Sequence, residues 1–227
     1  CLNSPNNPTG GALDAAALGR LAEAAATHDL VIVTDEIYSR LVYDGGRAPT
    51  IAAHPAAEGR TLYVDGTSKT YAMTGYRLGW LVAPPAWMER LVTLAINGHT
   101  CVPPFIQRAG VAALTGPHAH VAWQVAAYRA RRDRFVAGLT SLPGVACPVP
   151  AGAFYVFPDF STLLAEHGLG SAALAVRLLE RHGVAAIDGA KFGARGEGRL
   201  RFSFASAATD VEAALARVAE CVTTLAR

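Results

Sequence analysis

The stretch 66–79, Gly-Thr-Ser-Lys-Thr-Tyr-Ala-Met-Thr-Gly-Tyr-Arg-Leu-Gly, sets one lysine, Lys69, directly after the hydroxyl residue Ser68 and eight residues before Arg77. Of the chain's 20 lysines and arginines only two are lysine, Lys69 and Lys191. Where the ordinary cation is arginine, a lysine at this point marks a need for an amine that can lose its proton. A guanidinium stays charged, whereas a desolvated lysine can condense with an aldehyde to form a Schiff base. Arg77 offers fixed positive charge to a phosphate and Ser68 adds a hydroxyl donor. The glycines around them permit close backbone approach. An amine, an aldehyde and a phosphate used together are the chemistry of pyridoxal phosphate. The same residues do not make a nucleotide phosphate loop, which wants glycine immediately before the lysine, where Ser68 stands.

Elements that would position such a site follow from the hydrophobic pattern. Asn3 to Gly11 is dense in Pro, Asn and Gly and is a turn segment. From Asp14 a helix is expected, with Leu18, Leu21, Ala22 and Ala25 at helical spacing and a fade at His28-Asp29. Continuous apolar runs at 30–34, 61–64 and 79–83 are expected as short strands covered on both faces. The first ends at Asp35-Glu36-Ile37-Tyr38, the second just before Lys69, and the third begins just after Arg77. Open α/β sheets place functional loops at such strand ends. Further helices are expected over 86–96, 104–114 and 118–139, and the last carries Arg129, Arg131, Arg132 and Arg134 as a solvated face. Strand-like pieces at 145–147, 153–157, 184–187 and 200–204 interleave with helices at 171–182 and 209–226. The fold class is therefore α/β with a mainly parallel sheet flanked by helices, plus a smaller α+β lobe. The boundary is drawn at 137/138, giving segments 1–137 and 138–227.

Bulk composition excludes several classes. A hydrophobic fraction of 52% with 17% charge describes a compact chain rather than a disordered one. A net charge of +2 argues for neither nucleic acid nor an anionic membrane as partner. No apolar run approaches the roughly 20 residues of a membrane helix, and the start lacks the character of a signal peptide. The four cysteines, Cys1, Cys101, Cys147 and Cys221, lie far apart and read as ordinary buried thiols of a cytoplasmic protein. No metal site is expected: the histidines are scattered, and His118 and His120 are two apart, a spacing that does not face inward on a helix. The opening Asn-Ser-Pro-Asn-Asn-Pro-Thr-Gly, with no strand leading into it, is expected to be the later part of something longer.

Four segments, taken in order, carry a resemblance: Asn7-Pro8-Thr9-Gly10, Asp35-Glu36-Ile37-Tyr38, Ser68-Lys69 through Arg77, and Arg199-Leu200-Arg201-Phe202-Ser203. With Gly152-Ala153-Phe154-Tyr155, they resemble the class I and II aminotransferases, which are fold type I pyridoxal-phosphate enzymes. The resemblance implies pyridoxal 5'-phosphate as cofactor and an amino acid and a 2-oxo acid as substrates. It implies that Lys69 holds the cofactor covalently and then shuttles a proton. It implies that Asp35 pairs with the pyridine nitrogen, that Tyr38 and Asn7 bond the ring's 3' oxygen, and that Ser68 and Arg77 grip the phosphate. Arg201 is assigned the substrate α-carboxylate through a forked contact that lysine could not reproduce, with neighbouring Arg199 as the rival for that role.

The resemblance also implies a homodimer whose sites draw on both subunits, so that activity is expected of the full-length parent and doubted for this chain alone. Position 66 is Gly where some relatives carry a second phosphate-binding Ser. The segment 96–103 holds no arginine, which favours an aromatic, neutral or unusual amino donor over aspartate. Two other readings stay open: a lyase or synthase of the same fold, and a ligand-sensing module like the aminotransferase-like half of certain transcription regulators.

Overall fold

The fold comes from a computed structural model, which describes residues 1–225. The chain parts into two compact units: Cys1–Pro5 with Ala12–Gln124, and Asn6–Gly11 with Val125–Arg227. The boundary at 124/125 lies earlier than the 137/138 division drawn from sequence, and residues 6–11 group with the second unit.

In the first unit four strands, β1 (Leu2–Asn3), β2 (Ile32–Asp35), β3 (Thr61–Gly66) and β4 (Gly79–Val82), form a sheet in that order. β1, β2 and β3 run parallel, and β4 is antiparallel to β3. Helix α1 (Ala15–Thr27) starts where expected because the Asp14 carboxylate accepts a hydrogen bond from the Ala17 amide at 2.6 Å, satisfying one of the first-turn N–H groups. Its apolar stripe, Leu18, Ala22 and Ala25, packs with Ile32, Ile51 and Ala57 in one buried cluster. Helices α2 (Pro85–His99) and α3 (Pro104–Thr115) both begin on a proline, whose missing N–H costs nothing at a first helical position.

Two expectations about this sheet fail. The segment read as turn is expected to have no strand leading into it, yet β1 enters it, overlapping at Asn3 and held to β2 by the pairs Leu2 with Thr34 and Asn3 with Asp35. The apolar runs are not covered on both faces: Val31 is 54% exposed and Val82 58%. An apolar run of four or five residues fits a one-sided strand as well as a buried one, so the sequence signal could not tell them apart.

In the second unit β5 (Tyr155–Val156), β6 (Ile187–Asp188) and β7 (Leu200–Ser203) form an antiparallel sheet in the order β5-β7-β6. Of helix α4 (Ala119–Thr140), the portion from Val125 onward belongs to this unit. α5 (Ser161–Glu166), which the sequence reading missed, α6 (Ser171–His182) and α7 (Ala208–Leu225) complete it. The expected end of the last helix, Ala226, lies outside the described residues. Residues 145–147 form no strand, only a single bridge from Ala146 to Asp159.

Nor is the arginine run of α4 wholly solvated. Arg132 is buried, pairs with Asp133 at 2.7 Å and donates to the Pro150 carbonyl at 2.9 Å. The cysteines also depart from expectation: Cys147 and Cys221 are buried, but Cys1 and Cys101 are exposed.

Candidate active site

Asp35 is the last residue of β2, where the strand turns. Its carboxylate accepts the Ile37 amide at 3.1 Å, and its carbonyl accepts the Asn3 side-chain amide at 3.0 Å. The chain's own turn therefore sets the carboxylate's direction. Tyr38, three residues on, is 3% exposed. Asp35 lies opposite Val64 of β3, and β3 ends at Gly66, so Ser68 and Lys69 follow the same edge of the neighbouring parallel strand. Asp35, Tyr38, Ser68 and Lys69 thus gather at the carboxyl ends of β2 and β3.

The segment carrying Lys69 is tightly tied. The Thr67 amide and hydroxyl both donate to the Leu78 carbonyl, at 3.0 and 3.2 Å. The Thr67 carbonyl accepts the amides of Tyr71 and Met73. Gln124 donates to the Lys69 carbonyl at 3.2 Å, and Arg40 donates to the Tyr71 hydroxyl at 3.2 Å. Two non-glycine residues adopt left-handed backbone, Ala72 (φ 53°) and Arg77 (φ 54°), a conformation that is uncommon outside glycine and that clusters at functional sites. Arg77 itself is exposed, and its guanidinium donates to the Thr74 carbonyl at 3.0 Å. Gly66 also has a clear physical cause. A Cβ there would stand 2.9 Å from the Leu78 carbonyl oxygen and 3.1 Å from the Gly79 Cα, so a side chain at this position would push β3 and β4 apart.

Alternation along β2 sends the next residue to the other face. Glu36 is 2% exposed and accepts the hydroxyls of Thr34 (3.2 Å) and Thr50 (2.5 Å) through Oε1; Oε2 has no hydrogen-bond partner. Burial holds its carboxyl above the ordinary 4.5, against the two threonine bonds. On β3, Asp65 accepts the Gly66 amide and the Tyr63 hydroxyl, and burial raises it too. Tyr63, further bonded by Arg47 at 3.1 Å, is pushed up to about 12, chiefly by burial and then by the Asp65 charge. Sequence reading took Asp-Glu as one feature and missed this cluster. The alternation of side chains after Thr34 was the signal that could have found it.

The second unit holds Asn7 and Arg201. The Arg201 guanidinium donates through Nη1 to the Asn7 side-chain oxygen at 3.0 Å, across 194 residues of sequence. Asn7 is delivered by a turn in which Gly10 (φ 67°) leaves no room for a side chain: a Cβ would fall 2.5 Å from Pro150 Cβ and 2.9 Å from the Gly152 carbonyl oxygen. Among the described residues Arg201 has no carboxylate partner. Arg199, its rival in sequence, is taken: its guanidinium lies 2.6 Å from Asp159. Burial opposes ionisation of Asp159, but two bonds from Ser161 and the charge of Arg199 outweigh it and hold that carboxyl below its usual range.

Comparison with known proteins shows the family. The aminotransferase class I and II family matches residues 1–218, and the chain belongs to that family. It is 39% identical to an aspartate aminotransferase of Musicola paradisiaca over 98% of this chain and 55% of that protein. It is 38% identical to an arginine–pyruvate transaminase of Pseudomonas aeruginosa, over 99% of this chain and 56% of that one. Among solved structures, an aromatic aminotransferase from Pyrococcus horikoshii superposes with a TM-score of 0.92 at 36% identity, over 98% of this chain and 59% of the other. These neighbours share the fold type I architecture, an α/β fold with a mainly parallel sheet. The chain spans about half the length of the relatives it matches.

Proposed function

We propose that the whole protein is a pyridoxal-phosphate aminotransferase, moving an amino group between an amino acid and a 2-oxo acid. The observation that supports this reading is chain placement: Asp35 closes β2, and Ser68 and Lys69 follow the end of the adjacent parallel strand β3. That donor set fits the cofactor: one amine for an aldehyde, one half-buried carboxylate for a ring nitrogen, a buried phenol, and a hydroxyl with Arg77 for a phosphate. The 1–137 and 138–227 segments then correspond to the later part of a larger cofactor-binding domain and a smaller domain.

The chain's own residues divide the work. Lys69 would hold the cofactor through its aldehyde and, once free as an amine, would be the base that carries the proton removed from the substrate α-carbon. When bound, the cofactor supplies a sink for the electrons left on that carbon. Asp35 would pair with the ring nitrogen and favour its protonated form. Tyr38 and Asn7 would be the donors to the ring's 3' oxygen, and Ser68 and Arg77 would hold the phosphate. Arg201 binds the α-carboxylate, and the commitment of Arg199 to Asp159 favours it over its rival. Four unpaired cysteines support a reducing, cytoplasmic setting, and no helix among the described residues is long and apolar enough to cross a membrane. Broad exposed apolar surface on α2 and α3, including Leu94 at 69% and Phe105 at 71%, supports a homodimer partner.

The test is Lys69→Ala in the whole protein. Addition of pyridoxal phosphate should then give no visible absorption band characteristic of the lysine-bound cofactor, and turnover should vanish. A wild-type band in the variant overturns the assignment. In the unsubstituted protein, an amino acid added alone should convert the cofactor to pyridoxamine phosphate. Absence of that product points to the lyase or ligand-sensing reading instead.

A further inference from the structure

A guanidinium at the end of a flexible side chain recognises a carboxylate well only when its plane is already fixed. In the second unit the Arg201 guanidinium carbon lies 4.6 Å from the centroid of the Tyr155 ring and 5.4 Å from that of Phe192. Both are within cation–π reach. Nη1 is held by Asn7, and Nε is buried without a hydrogen-bond partner. No carboxylate among the described residues neutralises this charge, although Asp159 does so for Arg199 two positions earlier.

The two rings are themselves held. Tyr155 lies on β5 opposite Ser203 of β7 and packs its ring against Phe154 at 4.8 Å. Phe192 closes the 3-10 turn Gly189–Phe192, which is capped by the Asp188 carboxylate accepting the Ala190 amide at 3.0 Å; its ring meets Phe157 edge-on at 6.1 Å. Phe192 is 40% exposed, so burial in the core does not account for its place.

We infer that Tyr155 and Phe192 are positioning residues for carboxylate recognition: their rings, together with Asn7, hold the Arg201 guanidinium in the orientation that a ligand carboxylate meets. The inference rests on the proposed role of Arg201 and adds what makes that arginine selective.

The experiment uses the whole protein and an unreactive carboxylate, 3-phenylpropionate, titrated by calorimetry, with KM and kcat for an amino donor measured alongside. Phe192→Leu keeps apolar bulk but removes the ring face, and Tyr155→Leu is the second variant. Each should weaken 3-phenylpropionate binding about three- to tenfold. KM should rise by a similar factor with kcat changed less, and the melting temperature of Phe192→Leu should stay close to wild type. Phe192→Tyr and Tyr155→Phe, which keep the rings, should restore binding. Phe192→Leu binding as tightly as wild type overturns the inference, as does weakened binding that Phe192→Tyr fails to restore. Arg201→Lys is the control: if it leaves affinity unchanged, the assignment of Arg201 itself falls, whereas weakening by Arg201→Lys alone sinks only the role of the two rings.

Discussion

The turn after β3 presents Lys69 and the strand β7 presents Arg201, and the two are held by opposite means. Lys69 sits in a mainly local device: the backbone bonds and close approaches that shape its turn run from Gly66 through Leu78, and only Gln124 and Arg40 reach it from afar. Arg201 is held by side chains arriving from positions 7, 155 and 192, and the constraint is ring packing and one amide. An amine that must form and break a covalent bond needs a defined anchor point on the main chain. A guanidinium that must only recognise a planar anion needs a fixed plane. The difference also predicts how each region breaks: the first through charge and backbone substitutions, the second through loss of ring faces.

The largest expected effect in the first region comes from Asp35→Asn. The asparagine keeps an oxygen to accept the Ile37 amide, so the turn should survive. It cannot hold the ring nitrogen protonated, so turnover should fall by about 10²–10³ while the visible cofactor band persists. Single-turnover kinetics with matched spectra check this, and a wild-type rate would remove Asp35 from its role.

The same contrast explains what could be read before any coordinates. The Lys69 device is contiguous, so its residue types and spacing announce it, and α1 with its Asp14 cap is equally local. The bond from Arg201 to Asn7 spans nearly the whole chain, and the sequence assigned those two residues to different partners, the α-carboxylate and the ring oxygen, without bringing them together. The resemblance already favoured Arg201 over Arg199; that Arg199 is taken by Asp159 is a second reason, which no periodicity encodes. Exposure was the least legible property. The apolar run that became β4 was expected to be covered, and Val82 lies at the surface of the described chain, as do Leu94 of α2 and Phe105 of α3. Apolar character records that a face is suited to being covered, not what covers it.

Gly66→Ala gives a smaller but cleaner break. The added Cβ would lie 2.9 Å from a backbone oxygen and 3.1 Å from Gly79 Cα, neither of which can swing away. Separating β3 from β4 should cost about 1–3 kcal/mol, a fall in melting temperature of roughly 3–10 °C for a chain of this size. Cofactor binding should weaken with it, because the Thr67–Leu78 bonds that shape the lysine turn start at this contact. A thermal melt decides the first point and the visible band the second; an unchanged melting temperature would mean that backbone approach is not what holds this turn.

The smallest effect separates the two faces of β2. Burial raises the Glu36 carboxyl above its ordinary 4.5, with the nearby charge of Asp65 acting in the same direction. A raised folded-state value means the folded protein holds this proton more tightly than the unfolded chain does. The stability it contributes is therefore fully present below about the ordinary value and is lost as pH rises through the raised one. Glu36→Gln stays neutral throughout, and its side-chain oxygen can still accept the Thr34 and Thr50 hydroxyls. Its melting temperature should match wild type in acid and exceed it by roughly 2 °C at the upper end of that window. Asp65, raised in the same sense, interacts with Glu36, so the difference curve reports Glu36 together with its coupling to Asp65. A difference curve flat with pH, or one favouring wild type as pH rises, would mean that Glu36 is ionised in the fold and that its two threonine bonds outweigh its burial.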